Sequence, residues 1–119
     1  MDLKTLRERG AFAPAAPVPH EVSWTHPDEN GNEVTDTFTV HVVKHSVGSV
    51  ERLRARARSD AGSVQQWTAL LISESIGLGE DGSERLSVVD ADRLDFALAN
   101  VLVDAINAVN GTGATAPKN

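Results

Sequence analysis

The groups in this chain that could do chemistry are its histidines, a serine–glutamate–serine triplet, a glycine-rich turn and a run of alternating arginines. His41 and His45 would share a face if the extended run before them reached that far, and a pair of imidazoles can begin a metal site. A structural metal needs three or four ligands, and no third histidine or carboxylate stands at a matching spacing from this pair; His20, His26, His41 and His45 all read as surface residues beside strands. Neither a metal nor a cofactor is expected. Ser73-Glu74-Ser75 lacks the G-x-S-x-G frame of a nucleophile elbow. Gly77-Leu78-Gly79 matches part of a phosphate-binding loop, but it follows a helical pattern and lacks the third glycine. Glu80, Asp81 and Glu84 do not have the alternation of a calcium loop and read as a solvated turn. Nothing in this set supports an enzyme.

Arg52, Arg54, Arg56 and Arg58 form the one basic cluster. On a helix, steps of two residues scatter side chains around the cylinder. Arg54 and Arg58 then share one side and Arg52 and Arg56 the other, which is a poor stripe for a nucleic-acid backbone. The functional reading is a partner patch at Arg52 and Arg56, meeting an acidic protein or a neighbouring copy. The formal charge of −6 over 119 residues argues in the same direction, against nucleic acid and anionic membranes. The absence of cysteine removes disulfides, thiolate sites and cysteine nucleophiles. Met1–Gly10 is charged and lacks the apolar centre of a signal peptide, and no apolar run approaches the roughly 20 residues of a membrane helix.

The elements that must position these groups are organised around residues 33–58. Val34, Phe38, Val40 and Val42 alternate with Thr35, Thr37, Thr39 and His41, which is the period of a half-buried strand. Asp36 interrupts the apolar face near the strand's start. Residues 21–26 alternate in the same way around Val22 and Trp24, and Asn30-Gly31 lies between the two runs. The spacing predicts an antiparallel hairpin with Trp24 and Phe38 on its covered face. A hairpin alone is marginal in water and needs helices over it. Three follow: residues 50–58 capped by Ser49, residues 64–75 capped by Ser63, and residues 91–110 capped by Asp90 or Asp92. The second carries apolar residues around much of its circumference and should be central. Residues 85–89 are short and apolar, with an extended look. A short helix at residues 2–9 and a proline-bearing arm at residues 11–20 precede the hairpin. The fold class is α+β, a small antiparallel hairpin sheet under three main helices. The expected division is an N-terminal helix and arm (1–20), one domain (21–110) and a disordered polar tail (111–119).

The last helix has Leu94, Leu98, Val101, Leu102, Ala105 and Val109 as its main stripe. Phe96 and Val103 lie opposite it, on the strip that also carries Asn100 and Asn107. They either touch the helix of residues 64–75 or face outward as an apolar seam for a partner.

The extended run Phe38 to Lys44, the following His45 to Leu53, the helix with Trp67 and Leu71, the turn of residues 77–83 and the closing helix of residues 94–110 together resemble the tail assembly chaperones of long-tailed bacteriophages and prophages. The resemblance spans nearly the whole chain and rests on pattern, not on a catalytic signature. It implies a non-enzymatic protein of the host cytoplasm that binds the long tape-measure protein and keeps it soluble. It also implies a longer form, made by ribosomal frameshifting, whose extra domain recruits tail-tube subunits. If Pro117-Lys118-Asn119 is encoded CCA-AAA-AAC, the codons contain a heptamer on which ribosomes slip back one base. Two other classes remain open at this stage: a head–tail joining or minor tail protein of the virion, and a regulatory or antitoxin-like binding module.

Overall fold

The computed structural model describes residues 1–59 and 67–111. The expected Ser63 cap and the polar tail beyond Gly111 lie outside them. The described residues form α1 (Leu3–Glu8), β1 (Val18–Pro27), β2 (Glu33–Val42), α2 (Val47–Ser59), α3 (Trp67–Ser75), β3 (Ile76–Leu78), β4 (Glu84–Arg85), α4 (Val88–Asp92) and α5 (Phe96–Asn110). The fold is α+β. No described helix is long and apolar enough to cross a membrane.

The predicted hairpin is present, in a register that pairs Val22 with Phe38 and Trp24 with Asp36. All even-numbered residues of the two strands therefore share one face. Val22, Val40 and Val42 are buried there, while Phe38 and Trp24 are half-buried. Trp24 lies towards the hairpin's far end, where its ring stacks on His26 with centroids 3.8 Å apart. Asp36 stays exposed and is held by His26 Nε2 at 2.6 Å. The opposite face is polar. Hydroxyls bridge the strands there, Ser23 to Thr37 at 3.0 Å and Thr25 to Thr35 at 2.7 Å. The connection is the Asp28–Asn32 loop, whose Asp28 Oδ1 accepts from the N–H groups of Asn30 and Asn32. Gly31 takes φ +84°, a conformation open to glycine at little cost.

The sheet is larger than a hairpin. Its order is β1-β2-β3-β4, with every pairing antiparallel. The expected extended stretch at residues 85–89 is a strand only at its start, and α4 begins at Val88. The glycine-rich turn joins β3 to β4. A Cβ on Gly77 would collide with the Gly82 carbonyl, so the turn closes only over a bare backbone.

Three helix boundaries differ from the sequence expectation. Ser46, not Ser49, caps α2: its Oγ accepts from Ser49 N–H at 3.1 Å and its carbonyl from Val50 N–H at 3.1 Å. The Ser49 hydroxyl is occupied by His45 instead. The long final helix is divided. Ser87 Oγ caps α4 through Asp90 N–H, and Asp95 Oδ2 starts α5 by accepting from Leu98 N–H, so Asp90 and Asp92 have no capping role. Aspartate is among the best residues for opening a helix, and here it interrupts one. β1 begins at Val18, inside the stretch expected to be an arm. Pro19 fits there because the strand's other edge makes the hydrogen bonds to β2.

α5 lies chiefly against β1, with lighter contacts to β2 and α3. Leu102, Ala105 and Ile106 are its buried residues. α3 is central as expected. It packs on α2 through Leu53, Ala57 and Leu70, and on α4 and α5 through Ala69 and Ile72. α1 buries nothing. Asp2 caps it through Thr5 N–H, and Arg7 sits over the Phe12 ring at 4.9 Å. Ile72 is 1% exposed, so Ile72→Ala should cost about 2–5 kcal/mol in chemical denaturation. Half-buried Phe38→Ala should cost less than the Ile72 change and less than the roughly 3–5 kcal/mol of a fully buried phenyl group; a larger loss at Phe38 than at Ile72 would contradict this core.

Candidate partner-binding surfaces

The chemically suggestive residues turn out to be joints between elements. In the serine–glutamate–serine triplet, Ser73 Oγ donates to the Leu86 carbonyl at 2.7 Å. Glu74 accepts from Arg56 Nη1 at 2.8 Å. Ser75, with no exposed surface, meets His45 Nε2 at 2.7 Å. Arg85 Nη1 donates to the Glu74 carbonyl at 3.0 Å, which satisfies an orphan carbonyl at the end of α3.

His45 was expected at the surface and is instead half-buried, between Ser75 Oγ on Nε2 and Ser49 Oγ on Nδ1 at 2.6 Å. Its backbone N–H donates to Asn110 Oδ1 at 2.7 Å, and Asn110 Nδ2 donates on to the carbonyls of Val43 and Ile106. The end of β2, the start of α2 and the ends of α3 and α5 are thus tied at one point. A serine–histidine contact is the first element of a nucleophilic pair. Here both ring nitrogens are committed to hydroxyls and none is left for an orienting acid. Sequence reasoning missed this joint because its members are 30 and 65 residues apart. His41 goes elsewhere: its Nε2 meets the Glu80 carbonyl at 3.1 Å, over the glycine turn.

The arginines divide as the helix geometry requires. Arg52 and Arg56 line an open pocket of about 310 Å3 with His45, Ser49 and Glu74. Arg54 and Arg58 line a different one, beside Ala57 and Trp67. Phe96 and Val103 come together in a third place, a groove of about 460 Å3 between α3, α4 and α5. Its floor includes Ala69, Ile72 and Ala99, and its rim includes Thr68, Asp92 and Asn100. Val103 is half-buried against the main core, whereas Phe96, the first residue of α5, is 80% exposed.

A family model described as phage tail assembly chaperone, TAC, matches residues 4–110. The chain belongs to the phage tail assembly chaperone family. The matched region ends with the last residue of α5, so it includes every strand and all of the helices from α2 onward. Searches of curated proteins and of solved structures returned no match.

Two histidines of the chaperone are shifted in opposite directions. Burial lowers the pKa of His45 from its usual 6.5, with the Glu74 charge pulling the other way. The Asp36 carboxylate, hydrogen-bonded to the ring, raises that of half-buried His26. His45 therefore contributes stability that is complete above about pH 6.5 and declines as pH falls towards its lowered folded value. His26 contributes stability that is present below about pH 6.5 and is lost as pH rises through its raised folded value. An NMR titration of the imidazole resonances should find His45 titrating below His26. The opposite order would contradict the placement of both rings.

Proposed function

We propose that the chaperone binds the phage tape-measure protein through the groove between α3, α4 and α5, holding a helical segment of it until tail-tube subunits assemble around that segment. The observation that carries this reading is Phe96. Asp95 caps the helix and Leu102, Ala105 and Ile106 fill the core, so the exposed phenyl ring contributes little to the fold. It stands at the mouth of a groove floored by Ile72, Ala99 and half-buried Val103. An amphipathic helix laid into such a groove buries its apolar face against these residues. A tape-measure protein needs that cover only until the tube encloses it, and contacts centred on one aromatic anchor allow release.

Arg52 and Arg56, on the far side of α3 from this groove, are the chaperone's second proposed contact, suited to a carboxylate on a tail protein. Arg56 is already paired with Glu74, so Arg52 is the stronger cation for a partner. The function is carried out in the host cytoplasm, before the virion is complete.

Burying a phenyl side chain is worth about 1.5–3 kcal/mol. Phe96→Ser should therefore weaken tape-measure binding by roughly 10- to 100-fold, measured by calorimetry or pull-down, with an unchanged circular dichroism spectrum. Undiminished binding by a folded Phe96→Ser variant, or recovery of the chaperone as a component of purified particles, would count against the proposal.

The recruiting step is assigned to a longer form made by a minus-one frameshift at Lys118-Asn119. The gene should contain the slippery heptamer and an open frame beyond it, and mass spectrometry of induced cells should find a product that shares residues 1–117. A gene without the heptamer would remove the frameshift from this site.

A further inference from the structure

The groove between α3, α4 and α5 carries charge of one sign. These three helices contain no lysine, arginine or histidine. Asp92 is the one charged side chain among the described residues that line the groove, and Arg93, in the connection from α4 to α5, is outside that lining. An acidic group brought in would meet a carboxylate and no cation, whereas a basic group would be attracted. The fold makes no use of Asp92. It is exposed, and among the described residues its carboxylate has no hydrogen bond or ion pair. Asp95 differs, because it accepts from Leu98 N–H and from Trp24 Nε1. Asp92 is also the last residue of α4, where unsatisfied carbonyls make a negative charge unfavourable. Phe96 begins α5 only a short turn later, with its ring 80% exposed. One end of the groove thus offers a bare aromatic face and an unpaired carboxylate. Together these are the groups that hold a guanidinium: the ring takes its flat face and the carboxylate its N–H donors. The chain makes the aromatic half of this contact itself, where Arg7 lies over the Phe12 ring at 4.9 Å.

We infer that the helical segment held in this groove bears an arginine, stacked on Phe96 and paired with Asp92, about seven residues along one face from an apolar residue that packs on Val103. The inference rests on the tape-measure reading and names the chemistry of the segment bound. The spacing follows from α5. Phe96 and Val103 are two turns apart, roughly 10 Å along the axis, and two turns of a partner helix span the same length. Ile72 and Ala99 keep the floor apolar, so the charged residue belongs at the Phe96 end. A lysine fits less well, because its compact, strongly hydrated ammonium has no plane to lay on the ring.

The probes are overlapping synthetic peptides covering the tape-measure protein, titrated against the full chain by calorimetry. The tightest binder should carry an arginine and an apolar residue at this spacing. Replacing that arginine by glutamine should weaken binding about five- to tenfold. Asp92→Asn should cause a similar loss and remove most of the difference between the arginine and glutamine peptides, a coupling that a purely structural role would not produce. Phe96→Leu, which keeps an apolar side chain without a ring, should shrink the same difference. If Asp92→Asn does not fold, the peptide pair measured on wild type and on Phe96→Leu decides. Two failures are distinct. Where a peptide binds and Phe96→Ser weakens it, yet the arginine-to-glutamine change has no effect or its effect survives Asp92→Asn and Phe96→Leu, the inference is overturned and the groove reading stands. Where no peptide binds, or Phe96→Ser leaves binding undiminished, the groove reading fails and takes the inference with it.

Discussion

Val40 and Val42 have no exposed surface because α5 and α3 close over the even-numbered face of β1 and β2. A hairpin of two ten-residue strands has too little contact of its own to hold together in water. Its stability comes from the apolar face that the helices remove from solvent. Asn110 fixes where that cover ends. By joining the last turn of α5 to Val43 and His45, it ties the closing helix to the exit of the strand it shields. The same joint engages Ser75 and Ser49, so the three main helices are referred to one point at the end of β2.

The arrangement leaves α5 with two unlike sides. One faces the hairpin and is filled by Leu102, Ala105 and Ile106. The other, with Phe96 and Val103, turns towards α3 and α4, which do not fill the space between them. The split between α4 and α5 produces this opening. A continuous helix from residue 91 would have no fresh N-terminus at Asp95 and no reason to leave Phe96 at its first position, in water. A local capping preference is thereby connected to the surface proposed for the partner.

What was legible in the sequence followed physical range. The alternation in residues 34–42 and the Asn30-Gly31 turn are local signals, and the hairpin they predict is present. The even spacing of the arginines fixes their angular separation on any helix, and the pockets divide them accordingly. Placing Trp24 and Phe38 on the covered face was correct in register but overstated in depth, because both rings are only half-buried. Choices among adjacent serines and aspartates were less legible. Ser46 and Ser49 are both good caps, and His45 took one of them. β3 and β4 are too short to carry an alternating pattern. The His45 joint is assembled from distant residues and leaves no spacing to read.

The central claim is that the side of α5 facing away from the hairpin is the working surface of this tail assembly chaperone. Methyl NMR spectra of the chaperone titrated with tape-measure segments test it most directly, because Ile72, Leu94, Ala99 and Val103 report from the groove and Val22, Val40 and Ile76 from elsewhere. The account predicts that the first set shifts on binding while the second stays in place. Shifts confined to the second set, or to α2 around Arg52, would contradict it.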